Sequence, residues 1–244
     1  MSDLEVIYNN EDLYNMLDSL LRKEGDWWNS FYSDRQKDIP FFKNAPDENL
    51  VSYFERNLLK PGKVLELGCG PGRNSIYFSL HGCPVDGVDI SEEAIKWARE
   101  RTEDRGYDIT FHCKSIFEFD YIPCSYDIVY DCGCFHHIAP HRRMSYIQLI
   151  LNALKPDGKF CIICFNEEGG SDISDWEVYR QKSMKGGLGF SEEKFRTIFE
   201  KDFIIKEFRQ MKDITSEDLF GVPYVWTSLM EKREDHEKIS GFIL

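Results

Sequence analysis

KVLELGCGPGRNS, residues 63 to 75, sets three glycines at alternate positions directly behind an apolar run. The run KVLEL reads as a strand, and GRNSIYFSLHG, residues 72 to 82, as a helix closed by Gly82. Between them Gly68, Gly70 and Gly72 leave one turn of main chain almost without side chains. A ligand can therefore rest on backbone there and meet the free N–H groups of the helix that follows.

The same strand–helix alternation continues outward. PVDGVDI (84–90) is a second strand, and SEEAIKWARERTEDRG (91–106) a helix with Ser91 as its N-cap and Glu92 and Glu93 complementing its dipole. YDITFHC (107–113) and YDIVYDC (126–132) are the third and fourth strands. HRRMSYIQLILNALKPDG (141–158) reads as a helix with a Pro-Asp-Gly stop, and KFCIICF (159–165) as the fifth strand. Repeated βα units of this kind predict a doubly wound, mostly parallel sheet with right-handed crossovers. The tail departs from that rhythm: a helix at 191–202 is followed by strands at 203–211 and 223–232 with no full crossover helix between them. That predicts an antiparallel pair at one end of the sheet. Upstream, residues 11–24 place Leu13, Leu17, Leu20 and Leu21 on one helical face. An aromatic stretch with Trp27, Trp28, Phe31 and Tyr32 follows, then a helix at 47–59. Residues 169–190 read as a mobile insertion over a sheet edge.

Bulk properties narrow the function. The chain has 244 residues, 42% hydrophobic and 30% charged, which suits one soluble domain of generous size or a domain with a small cap. Its formal charge of −13 opposes nucleic acid and anionic lipid, so neither is expected as a partner. No apolar run approaches the roughly 20 residues that span a bilayer. The acidic start MSDLEVIYNNEDLYN lacks a signal-peptide core, so a cytoplasmic location is expected. Of the eight cysteines, Cys161 and Cys164 lie three apart on a strand and face opposite sides, which is poor geometry for a shared metal. Cys132 and Cys134, beside His136 and His137, lack the second ligand pair that zinc requires. No metal is expected, and the thiols read as reduced.

In a doubly wound sheet the ligand lies beyond the carboxyl ends of the central strands. A dinucleotide fingerprint would need glycine at position 73, where this chain has Arg73. The pattern present is GxGxG with Glu66 before it. Asp89 closes the second strand, where a carboxylate can accept hydrogen bonds from two ribose hydroxyls. HCKSIFEFD follows the third strand and YDIVYDCGCFHHIAP contains the fourth.

These four features in this order resemble the class I S-adenosylmethionine-dependent methyltransferases over roughly residues 60–165. GCGPGRNSIYFSLHG is especially similar to the tellurite-resistance group and more loosely to the thiopurine methyltransferases. The resemblance implies a Rossmann-like seven-stranded α/β sheet of order 3-2-1-4-5-7-6 with an antiparallel C-terminal strand. It implies a methyl-transferring domain over residues 60–244, with the insertion at about 166–190, behind an N-terminal helical lid over residues 1–59. S-adenosylmethionine would be the cofactor and a small molecule the acceptor, in a monomer or homodimer. The implied cofactor-binding positions are Glu66, Gly68, Cys69, Gly70, Gly72, Asn74, Asp89, Ile90, Ser115, Ile116 and Asp131. Where the family often has an acid for the adenine amine, this chain has Ser115 followed by Ile116, leaving the Ile116 side chain to pack on the ring. Asn74 reads equally as a first-turn helix residue, and Asp131 either faces the methionine tail or bonds local backbone. Asp127 reads as a turn residue and His141 as a surface one. Of His136 and His137, the candidate catalytic bases, one is expected in the core and the other in the acceptor pocket. The N-terminal aromatics read either as packing or as a lid. Two rivals stand beside this reading: a nicotinamide-dependent oxidoreductase, and a non-catalytic module that binds S-adenosylmethionine.

Overall fold

The computed structural model describes residues 6–233. The outer ends of both expected domains, residues 1–5 and 234–244, therefore lie outside the described residues. Helices α1 (Asn10–Asp18), α2 (Glu24–Ser33) and α3 (Glu48–Glu55) precede the sheet. Strand β1 (Val64–Leu67) then leads through the glycine turn to α4 (Arg73–Leu80), β2 (Val85–Asp89), α5 (Glu92–Thr102) and β3 (Ile109–Cys113). After β4 (Tyr126–Cys132) come α6 (Arg143–Ala153), β5 (Leu154–Phe165), α7 (Asp175–Gln181), α8 (Glu192–Phe199), β6 (Phe203–Gln210) and β7 (Val225–Lys232). The seven strands form one sheet of order β3-β2-β1-β4-β5-β7-β6. The pairs from β3 through to β5 are parallel, and β7 is antiparallel to both β5 and β6. The expected fold class and strand order are both present.

Side-chain alternation divides the core between the two faces of the sheet. Leu65, Leu67, Val129, Phe160, Ile162 and Cys164 pack on one face with Tyr146 and Ile150 of α6 and Phe195 and Phe199 of α8. Val64, Ile128, Tyr130, Cys161 and Ile163 pack on the other with Leu50 and Tyr53 of α3 and Phe78 of α4. Cys161 and Cys164 thus belong to opposite faces, as their spacing predicts.

Several boundaries differ from expectation. The helix expected at 11–24 ends at Asp18; Asn9 and Asp12 close a capping box at its start, and none of its residues is buried. Lacking an apolar footing, α1 does not extend to Leu20 and Leu21. The helix expected at 141–158 stops at Ala153, because Lys155 precedes Pro156 and is biased away from helical dihedrals. Leu154 already pairs with Tyr126, and residues 155–158 bulge before Lys159 pairs with Ile128. Asp127 is a strand residue, not a turn residue: its carboxylate accepts from the Lys63 N–H at 2.8 Å and pairs with Lys155. His141 is not a surface residue. Its ring sits between Asp18 (2.9 Å) and the Tyr179 hydroxyl (2.8 Å) with its side chain 7% exposed. Segment 169–190 carries α7 and lies over the carboxyl ends of β4 and β5, not over an edge. The Leu188 N–H bonds the His136 carbonyl, and the Phe190 N–H bonds the Phe165 carbonyl.

The N-terminal segment is joined to the sheet domain by a buried ion pair. Asp47, fully buried before α3, lies 2.5 Å from the Arg73 guanidinium at the start of α4. Asp47 also accepts from the Asn74 side chain (3.0 Å) and the Tyr130 hydroxyl (2.6 Å). Removing one partner of such a pair strands a charge in low dielectric. Asp47→Ala is therefore expected to lower stability by about 3–5 kcal/mol, whereas Arg56→Ala, which breaks the more exposed pair with Glu207, lowers it by less than about 1 kcal/mol. Denaturant unfolding of the two variants measures the difference.

Candidate functional site

The glycine turn sits where β1 and β2 end side by side. The Gly68 and Cys69 N–H groups both donate to the Val88 carbonyl, and the Gly70 N–H donates to the Asp89 carboxylate at 2.8 Å. Gly68, Gly70 and Gly72 all have positive φ. The space is as restrictive as the conformation: a Cβ on Gly68 would lie 2.7 Å from the Cys134 Cβ, and one on Gly70 3.1 Å from the Tyr32 hydroxyl. The chain therefore turns sharply with its amides beside a cavity of about 1330 Å³. A single small-molecule pocket is typically ~300–1,000 Å³, so this one has room for two ligands.

Of the expected site residues, Glu66, Gly68, Cys69, Gly70, Asn74, Asp89, Ile90, Ser115, Ile116, His136 and His137 line this cavity. Gly72 and Asp131 do not. Gly72 is the left-handed residue preceding α4. Asp131 is fully buried and accepts from the Tyr146 hydroxyl (2.5 Å) and from the Cys134 (2.8 Å) and Phe135 (3.3 Å) N–H groups. It orders the turn after β4, which is the local-backbone alternative. Asn74 is likewise committed: its amide oxygen accepts from the Asp47 N–H and its nitrogen donates to the Asp47 carboxylate. Ser115 caps the short turn Ile116–Glu118 by accepting from the Phe117 N–H.

Glu66 and Asp89 are both buried on the cavity wall, and among the described residues neither forms an ion pair. Burial pushes Glu66 up to about 8, although the Ser75 hydroxyl bonded to it pulls the other way. Burial raises Asp89 to about 6 against the Ser91 and Gly70 N–H groups, which donate to its two oxygens. Two desolvated carboxylates without counter-ions favour a ligand that brings positive charge and hydrogen-bond donors.

The two histidines, adjacent in the turn Phe135–His137, differ in what they can do. His136 stacks on Phe165 at 3.7 Å, and its Nδ1 accepts from the Phe165 N–H at 3.1 Å. His137 meets Trp28 of α2 edge-on at 4.8 Å, and its Nδ1 is buried without a partner among the described residues. Burial lowers both, His136 well below the usual range and His137 to about 3, so both rings are neutral at physiological pH. Both rings line the cavity; His136 is held by the sheet and His137 is the less committed of the two.

Tyr32, Trp28 and Phe41 of the N-terminal segment also line the cavity, as do Phe165, Phe220 and Tyr224 from the far end of the sheet. Arg73 was legible only as a broken dinucleotide pattern. Its guanidinium bonds the Ala45 carbonyl (3.0 Å) and Cys132 Sγ (3.1 Å) and lies 4.2 Å over the Phe220 ring. The only signal for it was a charged residue at the first position of a helix that begins in the core. Among the described residues, no group of three or more His, Cys, Asp or Glu side chains could hold a metal, and no helix is long and apolar enough to cross a membrane.

Comparison with known proteins agrees with this geometry. A general methyltransferase domain matches residues 64–158. An uncharacterized methyltransferase, C750.03c, from Schizosaccharomyces pombe is 30% identical over 132 residues, 52% of this chain and 91% of its own length. Among solved structures, the 1,6-didemethyltoxoflavin-N1-methyltransferase of Burkholderia thailandensis, bound to 1,6-didemethyltoxoflavin and S-adenosylhomocysteine, superposes with a TM-score of 0.65. It is 20% identical and covers 94% of this chain and 92% of that one. TehB from Haemophilus influenzae superposes with a TM-score of 0.58 at 21% identity, over 86% of this chain and 68% of that one. The sheet order, the glycine turn and these likenesses together place the chain in the class I S-adenosylmethionine-dependent methyltransferases. Its cofactor is S-adenosylmethionine, and the nicotinamide alternative falls away.

The raised Glu66 carboxyl has a stability consequence. Its folded value of about 8 exceeds the ordinary 4.5, so the folded chain holds a proton that the unfolded chain releases. That contribution is complete below about pH 4 and is lost as pH rises through about 8. Glu66→Gln, which carries no charge, is expected to flatten the decline: thermal unfolding without ligand should show the variant gaining on the parent between pH 5 and pH 9.

Proposed function

We propose that this protein transfers a methyl group from S-adenosylmethionine to a small-molecule acceptor, with both held in the one cavity. The observation that carries this reading is the pair of buried, unpaired carboxylates flanking a glycine turn that has no room for side chains. The residues fit the cofactor. Glu66 faces its ammonium, directly or through water, and Asp89 accepts from its ribose hydroxyls while held by the Gly70 and Ser91 amides. Ile90 and Ile116 supply apolar surface for adenine, and Gly68, Cys69 and Gly70 supply main chain for the amino-acid tail. When bound, the cofactor supplies an electrophilic methyl group on a sulfonium.

What the chain itself contributes is alignment and exclusion of water. Trp28, Tyr32 and Phe41 from the N-terminal segment form an aromatic roof, whose faces tolerate a cation. We read residues 1–59 as the lid of this site, with the 166–190 insertion covering its other side. Aligning two bound reactants removes much of the entropic barrier to their reaction. His137 receives the acceptor's proton where the acceptor carries one, and His136 positions that turn through Phe165. A small acceptor is supported by the volume of the cavity and by the likeness to the didemethyltoxoflavin enzyme, which binds a small molecule beside S-adenosylhomocysteine.

Calorimetry with S-adenosylhomocysteine tests the reading. Binding should be saturable, absent with NAD, and at least tenfold weaker in Asp89→Asn. At pH 7 Glu66 is largely protonated in the free protein, and a neighbouring ammonium favours its ionised form. Binding should therefore release up to about one proton, seen as a heat that varies with the buffer's ionisation enthalpy, and Glu66→Gln should abolish that release. Absence of binding in the parent protein would end this account.

A further inference from the structure

The acceptor half of the cavity carries almost no usable charge. Its ionic walls are already paired among the described residues: Arg142 with Glu11 and Asp18, Arg22 with Glu24, and Arg73 with Asp47. Lys23 and Glu118 also border the cavity but are exposed at its rim. Around His137 the rings are Trp28 and Phe165, with Tyr224 beyond Phe165, and the Arg22 charge that acts on His137 is itself bonded to Glu24. The rings are close: Trp28 lies 4.8 Å from His137, and Phe165 lies 6.2 Å from His137 and 6.3 Å from Tyr224.

The titratable groups in this region report the same environment. Burial pushes the Cys132 and Cys134 thiols well up and both imidazoles down, so acids and bases alike are held neutral. A bound thiolate or oxyanion would lose its solvation here beside a cation, Arg22, that Glu24 already neutralises, and an ammonium would find Glu24 taken in the same way. His137 lines the cavity beside these rings and, among the described residues, its imidazole forms no side-chain hydrogen bond, so it is a polar group available to orient a ligand there.

We propose that the acceptor is an uncharged heteroaromatic molecule that stacks among these aromatic residues and hydrogen-bonds a ring N–H to the His137 imidazole. This rests on the methyl-transfer reading above and narrows its substrate class. The ring nitrogen forms a bond to the methyl carbon as the carbon–sulfur bond breaks, and that bond's electron pair stays on sulfur. The proton lost from the ring nitrogen passes to the imidazole of His137 and from there to water. Positive charge therefore moves from the sulfonium to the methylated ring and leaves with its proton, which His137 relays to water without keeping it, and no anion is needed in the cavity.

The test is equilibrium binding to the full-length protein saturated with S-adenosylhomocysteine. The probes are lumazine and 1,6-didemethyltoxoflavin as ring N–H compounds, and phosphoethanolamine and dimethylglycine as charged ones. The ring compounds should bind at least tenfold more tightly. His137→Phe should weaken their binding at least tenfold while leaving S-adenosylhomocysteine affinity unchanged, and His137→Gln, which keeps a hydrogen-bonding group, should recover part of the loss. Equal or tighter binding of either charged probe, binding of neither ring compound, or an unaltered affinity in His137→Phe would overturn the proposal. Failure of S-adenosylhomocysteine itself to bind would instead strike the methyl-transfer reading beneath it.

Discussion

One hydrogen bond, from the Gly70 amide to the Asp89 carboxylate, ties the glycine turn to the end of the neighbouring strand. The parallel pairing of β1 with β2 delivers both groups to the same edge of the sheet, since Leu67 and Val88 are partners in register. With one oxygen of Asp89 held by Gly70 and the other by Ser91, the carboxylate is fixed in direction and keeps lone pairs for a ligand. The bend is thus built from main chain on one side and a restrained acid on the other. The Tyr32 hydroxyl and Cys134 crowd the glycines closely enough to exclude any larger residue.

Much of this was legible in the letters. Alternate glycines after an apolar strand, an acid closing the next strand, and a tail without a crossover helix pointed to the sheet order now seen and to residues that share one cavity, because each is a local constraint with few structural solutions. Asp131 and Asn74 show where such reading weakens. Both stand at positions that face a ligand as readily as a neighbour, and which they face depends on partners remote in sequence. Tyr146 and the Cys134 amide take Asp131, while Asp47 takes Asn74. His141 was misplaced for the same reason, since its partners Asp18 and Tyr179 flank it from opposite directions in the chain. The role of Arg73 needed knowledge that residues 45–47 fold back over α4, which no periodicity encodes.

Polarity within the cavity is divided by depth. At the strand ends two carboxylates stand without counter-ions, so a cationic ligand improves their environment. A few side chains away, charges are either cancelled in pairs or suppressed by burial. Such a division suits a reaction in which one partner arrives carrying the charge and the other arrives without any. It follows from placement alone: Glu66 and Asp89 stand at the ends of β1 and β2, whereas Phe165 ends β5 and His137 and Tyr224 occupy connections beyond the strands.

Helix α1 buries none of its residues, yet it borders the cavity through Glu11, Tyr14, Asn15 and Asp18. What fastens it is polar: Arg142 reaches Glu11, Asn15 and Asp18, and His141 reaches Asp18. A clasp of partly solvated ions draws little on the hydrophobic effect and weakens with dissolved electrolyte, while the sheet beneath is indifferent to it. The hold of α1 on the rim of the cavity is accordingly expected to loosen at an ionic strength that leaves the sheet intact.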